Sequence, residues 1–524
     1  MGKTSATGSF QLLIGVTTST IIMAIGSIIL GRMLTQDQYG LYGIAMAPSY
    51  LINLFRDWGI NSAMTKYIAS LRASNKEEEI HDFMVAGLIF EVGSGIVLSF
   101  LSLFLATFIA SFYQKPESAP YIAIVSVSII SGSLLAASQA AFIGYERMEL
   151  NSFTLICQAI MKAAVGPILV FVGYGVLGAV IGYNLGFVAA GGIGLALFYF
   201  ILLRPLRKKR TKNSDTIKTF RTMLNYGLPL SIYSILGGIL GQIYSFVLIP
   251  LTSEAMYGNY VVATNFTLLL GFFTIPIATV LFPAFAKLDP HNEDYLLKNV
   301  FTSSIKYSSI LLVPATMLLM SLSGPIVGTL YGEKYAYGPF FLTLLVIGNL
   351  FVVLGSLSSG GLLSGLGETR ILMIQSIITL AIGLPLGIVL IPMFGIVGFI
   401  IANFFSGLPS MLWGIYWIWT HFKAKADFQS SARILVVSTL AALIAYVPTG
   451  FLDTANWMKL TIGIIIFLTT YILGAPLIGA VCLTDINNLR FMFSDMGIIS
   501  KIINIPLNAA EKVAKAKRAK EAHA

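Results

Sequence analysis

FTLICQAIMKAAVGPILVFVGYGVLGAVIGYNLGFVAAGGIGLALFYFILL, residues 153–203, carries a single formal charge, Lys162, along its whole length. A helix rises 1.5 Å per residue, so about twenty such residues cross the ~30 Å hydrocarbon core of a bilayer. The stretch therefore reads as two spans, near 153–173 and 175–203, the second opened by Gly175-x-x-Gly178.

The rest of the chain repeats this pattern. Of 524 residues, 56% are hydrophobic and 11% charged, against roughly a quarter charged in an ordinary soluble domain. Apolar runs separated by short polar breaks place about fourteen spans near 10–32, 40–57, 82–112, 120–143, 153–173, 175–203, 224–250, 258–285, 300–331, 338–365, 371–393, 395–420, 433–451 and 457–482. The first run has only Lys3 ahead of it and no small-residue cleavage site, so it reads as a span and not as a removed signal peptide. Cys157 and Cys482 both fall in predicted spans, far apart in sequence, which excludes a disulfide framework or a zinc site. The expected fold class is an all-α integral membrane protein.

The net charge of +10 belongs to the membrane and not to nucleic acid. Of the 33 Lys and Arg, only Arg32, Lys115, Lys334 and Lys459 fall in or beside the odd-numbered loops, and only Lys162 lies deep inside a span, away from either end. The other 28 lie at the N-terminus, in or beside the even-numbered loops, and in the tail. This positive-inside bias puts both termini in the cytoplasm of a multi-pass cell-membrane protein. Arg207-Lys208-Lys209-Arg210 and Lys515, Lys517, Arg518 and Lys520 of the tail then face anionic inner-leaflet lipid.

The polar stretch 204–221 divides the chain. Residues 1–203 read as an N-lobe of six spans, 204–223 as a basic linker and 224–421 as a C-lobe of six spans. Residues 422–482 supply two further helices, and 483–524 a basic tail. Leu34-Thr35 followed by Tyr39-Gly40-x-Tyr42 recurs as Leu251-Thr252 followed by Tyr257-Gly258-x-Tyr260, the Tyr-Gly-x-Tyr part at an offset of 218. Pro167 and Pro385 share that offset, and Gly175-x-x-Gly178 recurs as Gly395-x-x-Gly398 at 220. Six spans separate the copies, so both have the same orientation, and the expected symmetry is a pseudo-two-fold axis along the membrane normal. Pro48, Pro167, Pro229, Pro276, Pro314 and Pro385 fall inside spans, where they read either as kinks or as the ordinary proline content of membrane helices.

No GxxxxGK[ST] or HExxH motif is present, and His81, His291, His421 and His523 lie outside the spans and apart. With short loops and only Glu117, Glu254, Glu333 and Asp453 scattered on the outer side, neither an enzyme nor any cofactor is expected. A membrane glycosyltransferase would need acidic residues or a sizeable loop there.

Charges inside the bilayer are the better guide, because they are expensive and face a cavity or a partner. Lys162 in span five and Glu91 in span three read either as an ion pair tying two helices together or as functional groups. In the functional reading, Lys162 accepts an anionic substrate while Glu91, and Asp57 at the end of span two, take up H⁺ or Na⁺. Arg56 at the cytoplasmic end of span two and Arg32 at the outer end of span one read as phosphate contacts or interfacial anchors. Asn184 in span six reads as a lumen residue or as an interhelical hydrogen-bonding group.

The stretch Ile28-Ile29-Leu30-Gly31-Arg32-Met33-Leu34, running through Tyr39-Gly40-Leu41-Tyr42 to Asp57-Trp58-Gly59-Ile60 and Lys66-Tyr67-Ile68-Ala69, resembles the N-terminus of polysaccharide-type flippases. Tyr226-Gly227-Leu228-Pro229 is similar to that family's second-lobe entry. The resemblance implies two six-helix lobes around a central cavity, and alternating access driven by an ion gradient or by substrate supply. It also implies a cationic lumen for the pyrophosphate and sugars of a polyprenyl-linked glycan, with membrane lipids around the tail. The superfamily also holds multidrug exporters, which leaves a cation-coupled exporter as the alternative.

Overall fold

The computed structural model describes residues 2–207, 216–286, 288, 294–425, 427–492 and 498–523. Every regular element among them is helical. The helices are α1 (Gly2–Met33), α2 (Gln36–Asn53), α3 (Ile60–Ala73), α4 (Glu77–Phe112), α5 (Ala119–Val125), α6 (Val127–Gly144), α7 (Met148–Leu169), α8 (Gly175–Leu197), α9 (Arg204–Arg207) and α10 (Thr216–Leu248). There follow α11 (Glu254–Ala286), α12 (Asp294–Ser321), α13 (Ser323–Leu330), α14 (Gly338–Val346), α15 (Ser356–Gly365), α16 (Thr369–Phe422), α17 (Phe428–Phe451), α18 (Asn456–Ile478), α19 (Leu483–Met492) and α20 (Ile498–His523).

Local chemistry sets several boundaries away from the hydropathy limits. A capping box, Gln38 N to Thr35 Oγ1 at 3.2 Å and Thr35 N to Gln38 Oε1 at 3.1 Å, starts α2 before residue 40. Glu77, Glu78 and Glu79 occupy the first turn of α4, where the helix dipole favours carboxylates, so that helix begins ahead of residue 82. Span nine ends earlier than expected, at Ser321, and a separate short helix, α13, follows it.

Glycine, and not proline, breaks the spans. The helices run uninterrupted through Pro48, Pro167, Pro229 and Pro314. The 54 residues of α16 would extend about 81 Å if straight, more than twice the apolar core, and the chain turns within them at Gly395, φ 56° and ψ −128°. Gly175, between α7 and α8, has φ 50° and ψ −132°, a conformation essentially closed to other residues. Span ten is bent by 59° between 354 and 356, at Gly355 with φ 94°.

Among the described residues nine helices are long and apolar enough to cross a membrane, ten if the bent pair counts as one span. Two of the nine, 148–206 and α16, are double passes. The shorter α2 and the 33-residue α11 lie where spans two and eight were expected.

The helices form two compact units. The first comprises Met1–Val261 and Leu380–Asn403. Its tightest packing joins α7 to α8 and α1 through small residues: a Cβ on Gly182 would lie 2.3 Å from Gly166, and one on Gly26 would lie 2.6 Å from Ala163. Here the two Tyr-Gly-x-Tyr motifs cross. A Cβ on Gly40 would meet the Glu254 carbonyl oxygen at 1.8 Å, and one on Gly258 would meet the Gln36 carbonyl oxygen at 2.4 Å. Because 36 and 254, like 40 and 258, differ by 218, each copy of the motif makes the same contact with the other.

The second unit comprises Val262–Thr379 and Phe404–Ala524. Its centre is α12 against α17, with Ile310, Val313, Ile434 and Val437 buried together. The tail, expected as a basic extension, folds as α19 and α20. Ile486, Leu489 and Ala510 join the same core, and Lys306 Nζ reaches Asp485 Oδ2 at 2.7 Å. The linker cations Lys208, Lys209 and Arg210 lie outside the described residues, as do the side chains of Arg207, Pro276 and Lys520.

Candidate functional site

Lys162 lies about fourteen residues into α7, roughly 21 Å along the helix. Its stem crosses α8 where Gly186 leaves room: a Cβ there would sit 2.2 Å from Lys162 Cγ. The ammonium ends 4.1 Å from the Tyr183 ring centroid and 5.2 Å from that of Phe187. The ion pair with Glu91 considered from sequence is not formed, and no carboxylate lies within 4.0 Å of Lys162 among the described residues. A lysine at mid-bilayer costs about 3 kcal/mol. A desolvated cation–π contact returns about 2 kcal/mol, so the rings recover much of that cost and leave the charge open to a further anionic partner.

Glu91 is instead claimed by the turn after α2. The chain leaves that helix at Leu54 and reverses through Trp58 and Gly59, both left-handed at φ 49° and 75°. Gly59 is obligatory, because a Cβ would lie 2.0 Å from the Gly227 carbonyl oxygen. Trp58 Nε1 donates to the Phe55 carbonyl at 2.8 Å, closing the turn. Arg56 thereby folds back so that its Nη1 stands 3.6 Å from Glu91 Oε2, with the Glu91 side chain wholly buried. Asn61 donates from Nδ2 to Glu91 Oε1 at 2.8 Å and from its backbone N–H to Asp57 Oδ1 at 2.9 Å, and the Asp57 carboxylate lies beside Glu91.

Phe187 joins the two groups. A Cβ on Gly132 would lie 3.6 Å from the Phe187 ring and 3.8 Å from Arg56 Nη1, so the ring that flanks Lys162 and the guanidinium border the same glycine gap. Arg56 Nε and Nη1 and Glu91 Oε2 are buried without a hydrogen-bond partner among the described residues. Unused donors and acceptors of this kind in a low-dielectric interior are costly unless a ligand or an ion completes them.

The remaining expected residues stand apart from this constellation. Asn184, buried next to Tyr183, donates to the Val180 carbonyl of its own helix at 3.0 Å. Arg32 is exposed in the last turn of α1, where a cation complements the helix dipole. Sequence reasoning missed Asn61, Tyr183 and Phe187. The spacing of Tyr183 and Phe187, four residues apart on one face, was a usable signal for the pair of rings. Nothing local marks Asn61 as a partner of Glu91. No group of three His, Cys, Asp or Glu side chains fit to hold a metal occurs among the described residues. The constellation is suited to binding and charge compensation.

The family described as "Polysaccharide biosynthesis protein" matches residues 5–289, more than half of the chain. A "Probable low-salt glycan biosynthesis flippase Agl15" of Haloferax volcanii is 22% identical over 89% of this chain and 94% of its own length. Among solved structures, "Lipid II flippase MurJ, inward closed conformation" covers 88% of this chain and 98% of its own with a TM-score of 0.70 at 17% identity. An inward-facing "multidrug resistance MATE family transporter of the MOP superfamily" gives a TM-score of 0.61 at 16% identity, over 79% of this chain and 100% of its own. At these identities the two structural likenesses establish the fold alone.

Proposed function

The chain belongs to the polysaccharide biosynthesis protein family, and we propose that it is a flippase carrying a lipid-linked oligosaccharide or polysaccharide precursor from the inner to the outer leaflet. The relatives named as glycan and lipid II flippases support this reading. One observation carries it: Lys162, deep in its helix, has its ammonium against the rings of Tyr183 and Phe187 with no carboxylate partner among the described residues, and Arg56, with buried unused donors, borders the same Gly132 gap as Phe187. An anionic pyrophosphate fits two cations, and the Phe187 ring near them offers a sugar an apolar face. The work is transport, with no catalytic step.

Translocation proceeds in this reading by alternating access, the segments 1–203 and 224–421 acting as the two moving lobes. The protein sits in the cell membrane with both termini in the cytoplasm, so the basic loops meet the substrate on the anionic leaflet. Ion coupling rests on a charge count. Among the described residues the one cation placed against the Glu91 and Asp57 carboxylates is Arg56, and a proton or Na⁺ supplies the missing positive charge. The same carboxylates favour the second reading, a cation-coupled exporter of small molecules.

Proteoliposomes loaded with a fluorescent polyprenyl-pyrophosphate oligosaccharide separate the two. Translocation by the wild type, lost in Lys162→Ala and kept in Lys162→Arg, is the expected result. Folded wild type that moves no glycolipid yet exports organic cations down an imposed H⁺ or Na⁺ gradient would overturn the flippase reading.

A further inference from the structure

The second unit contains a cavity of about 400 Å³, at the low end of the ~300–1,000 Å³ usual for small-molecule sites. It lies where the C-terminal end of α12 and the start of α13 meet the α17–α18 connection. This is the end of the α17–α18 hairpin opposite the one where Arg433 Nη1 donates to the Gly479 carbonyl at 3.4 Å. Of the cations excluded from the basic loops, Lys459 lines the cavity and Lys334 is adjacent to lining residue Glu333, which puts it on the outer face by the positive-inside rule.

Its lining has a definite chemistry. Asn456 is fixed in place: Gly328 leaves room for its amide, which a Cβ there would approach to 2.4 Å, and Nδ2 donates to Glu333 Oε1 at 3.2 Å. Glu333 supplies acceptors, Lys459 and Asn456 supply donors, and Thr449 adds a hydroxyl deeper in. Tyr446, 59% exposed, gives the cavity an open aromatic face. One ammonium beside one carboxylate is a poor match for a phosphate, which calls for two or more cations. A sugar hydroxyl both donates and accepts, so it needs mixed donors and acceptors, and its C–H face packs on a ring whose π face is electron-rich.

We propose that this cavity is an outer-face saccharide subsite, built by the C-terminal helix pair α17–α18 together with α12 and α13, that takes one or two sugar units. The flippase reading enters only in naming the sugar's source, the glycan head of the translocated lipid. Binding itself is independent of transport.

The test uses the full chain in nanodiscs, with saturation-transfer NMR and Trp457 fluorescence reading titrations of cellobiose, N,N′-diacetylchitobiose and glycerophosphoethanolamine. Saturable binding of at least one disaccharide, weakened about fivefold or more by Asn456→Ala and by Tyr446→Ala at unchanged melting temperature, is the expected outcome. Should Asn456→Ala fail to fold, Asn456→Gln provides the same readout. Three results would sink the subsite: no disaccharide binding by folded wild type, binding indifferent to both substitutions, or binding of glycerophosphoethanolamine alone. Sugar binding by a wild type that flips no glycolipid would instead remove the flippase reading and leave the subsite standing.

Discussion

Between α7 and α8 the chain breaks at Gly175 with φ 50° and ψ −132°, and inside α16 it breaks at Gly395 with φ 56° and ψ −128°. Three residues on, Gly178 and Gly398 press onto the helix just left: a Cβ would come within 2.8 Å of Leu169 and 1.9 Å of the Leu390 carbonyl oxygen. The two turns are geometrically alike, yet the helices around them differ in chemistry. At the offset of 218, Lys162 corresponds to Leu380; at 220, Tyr183 and Phe187 correspond to Asn403 and Gly407. Backbone sterics have held the turn constant in both copies, whereas the ammonium and its two rings occur in one.

The hardest blow to this comparison falls on the turns themselves. A side chain at either glycine has room, with nothing closer than 3.7 Å at Gly175 and nothing within 4 Å at Gly395, so the penalty is conformational. Gly175→Val and Gly395→Val should each destabilise the protein by about 3 kcal/mol, read as matched falls in melting temperature in detergent. A loss at only one would mean that the turns are not equivalent in energy.

Next come the corresponding positions 162 and 380. Lys162→Ala should cut glycolipid translocation more than about tenfold, equivalent to ~1.4 kcal/mol or more, with folding retained. Leu380→Ala should leave the rate unchanged, because no ligand contact is assigned to it. Equal losses in the transport assay would spread the site over both copies. Phe187→Leu keeps both cations and the Arg56–Glu91 pair but removes a ring that Lys162 packs against. It should slow translocation about fivefold, matching ~1 kcal/mol of cation–π energy.

The smallest effect concerns the crossing Tyr-Gly motifs, where Gln36 in one copy corresponds to Glu254 in the other. Burial raises the Glu254 pKa, but the hydrogen bond and charge of Lys115, together with a backbone hydrogen bond, outweigh it and hold the carboxyl below its ordinary value of 4.5. A depressed carboxyl stabilises the fold above its ordinary range and loses that contribution as pH falls through its lowered value. Glu254→Gln, which makes the copies alike, should cost under about 1 kcal/mol at pH 7. The gap in melting temperature from wild type should close as the pH drops below 4.5. A gap that stays constant would deny the ion pair its role.

Span order and the duplicated glycines were legible because hydropathy and glycine are local signals. The proline reading was less useful: a helix can continue through Pro167 or Pro314, whereas the φ demanded at Gly175, Gly355 and Gly395 leaves little alternative to glycine. The helices within the basic tail were not legible, since the apolar faces of α19 and α20 are short and interrupted by charge. In the site, Lys162 and Glu91 stood out as charges in apolar runs. Their partners did not, because the Trp58-Gly59 reversal decides where Arg56 points, and the gaps at Gly132 and Gly186 have meaning only once helices are packed.

The mutual crossing of Gly40 and Gly258 has the form of an isologous interface, the kind two identical chains make across a two-fold axis. In a dimer of identical chains every substitution appears twice, so an ammonium placed at mid-membrane would be matched by a second one and its cost doubled. Joining the two motifs in one polypeptide lifts that constraint. It allows a lysine at position 162 where the other copy has a leucine, at position 380, and so gives the bundle a polarity that a symmetric pair could not hold.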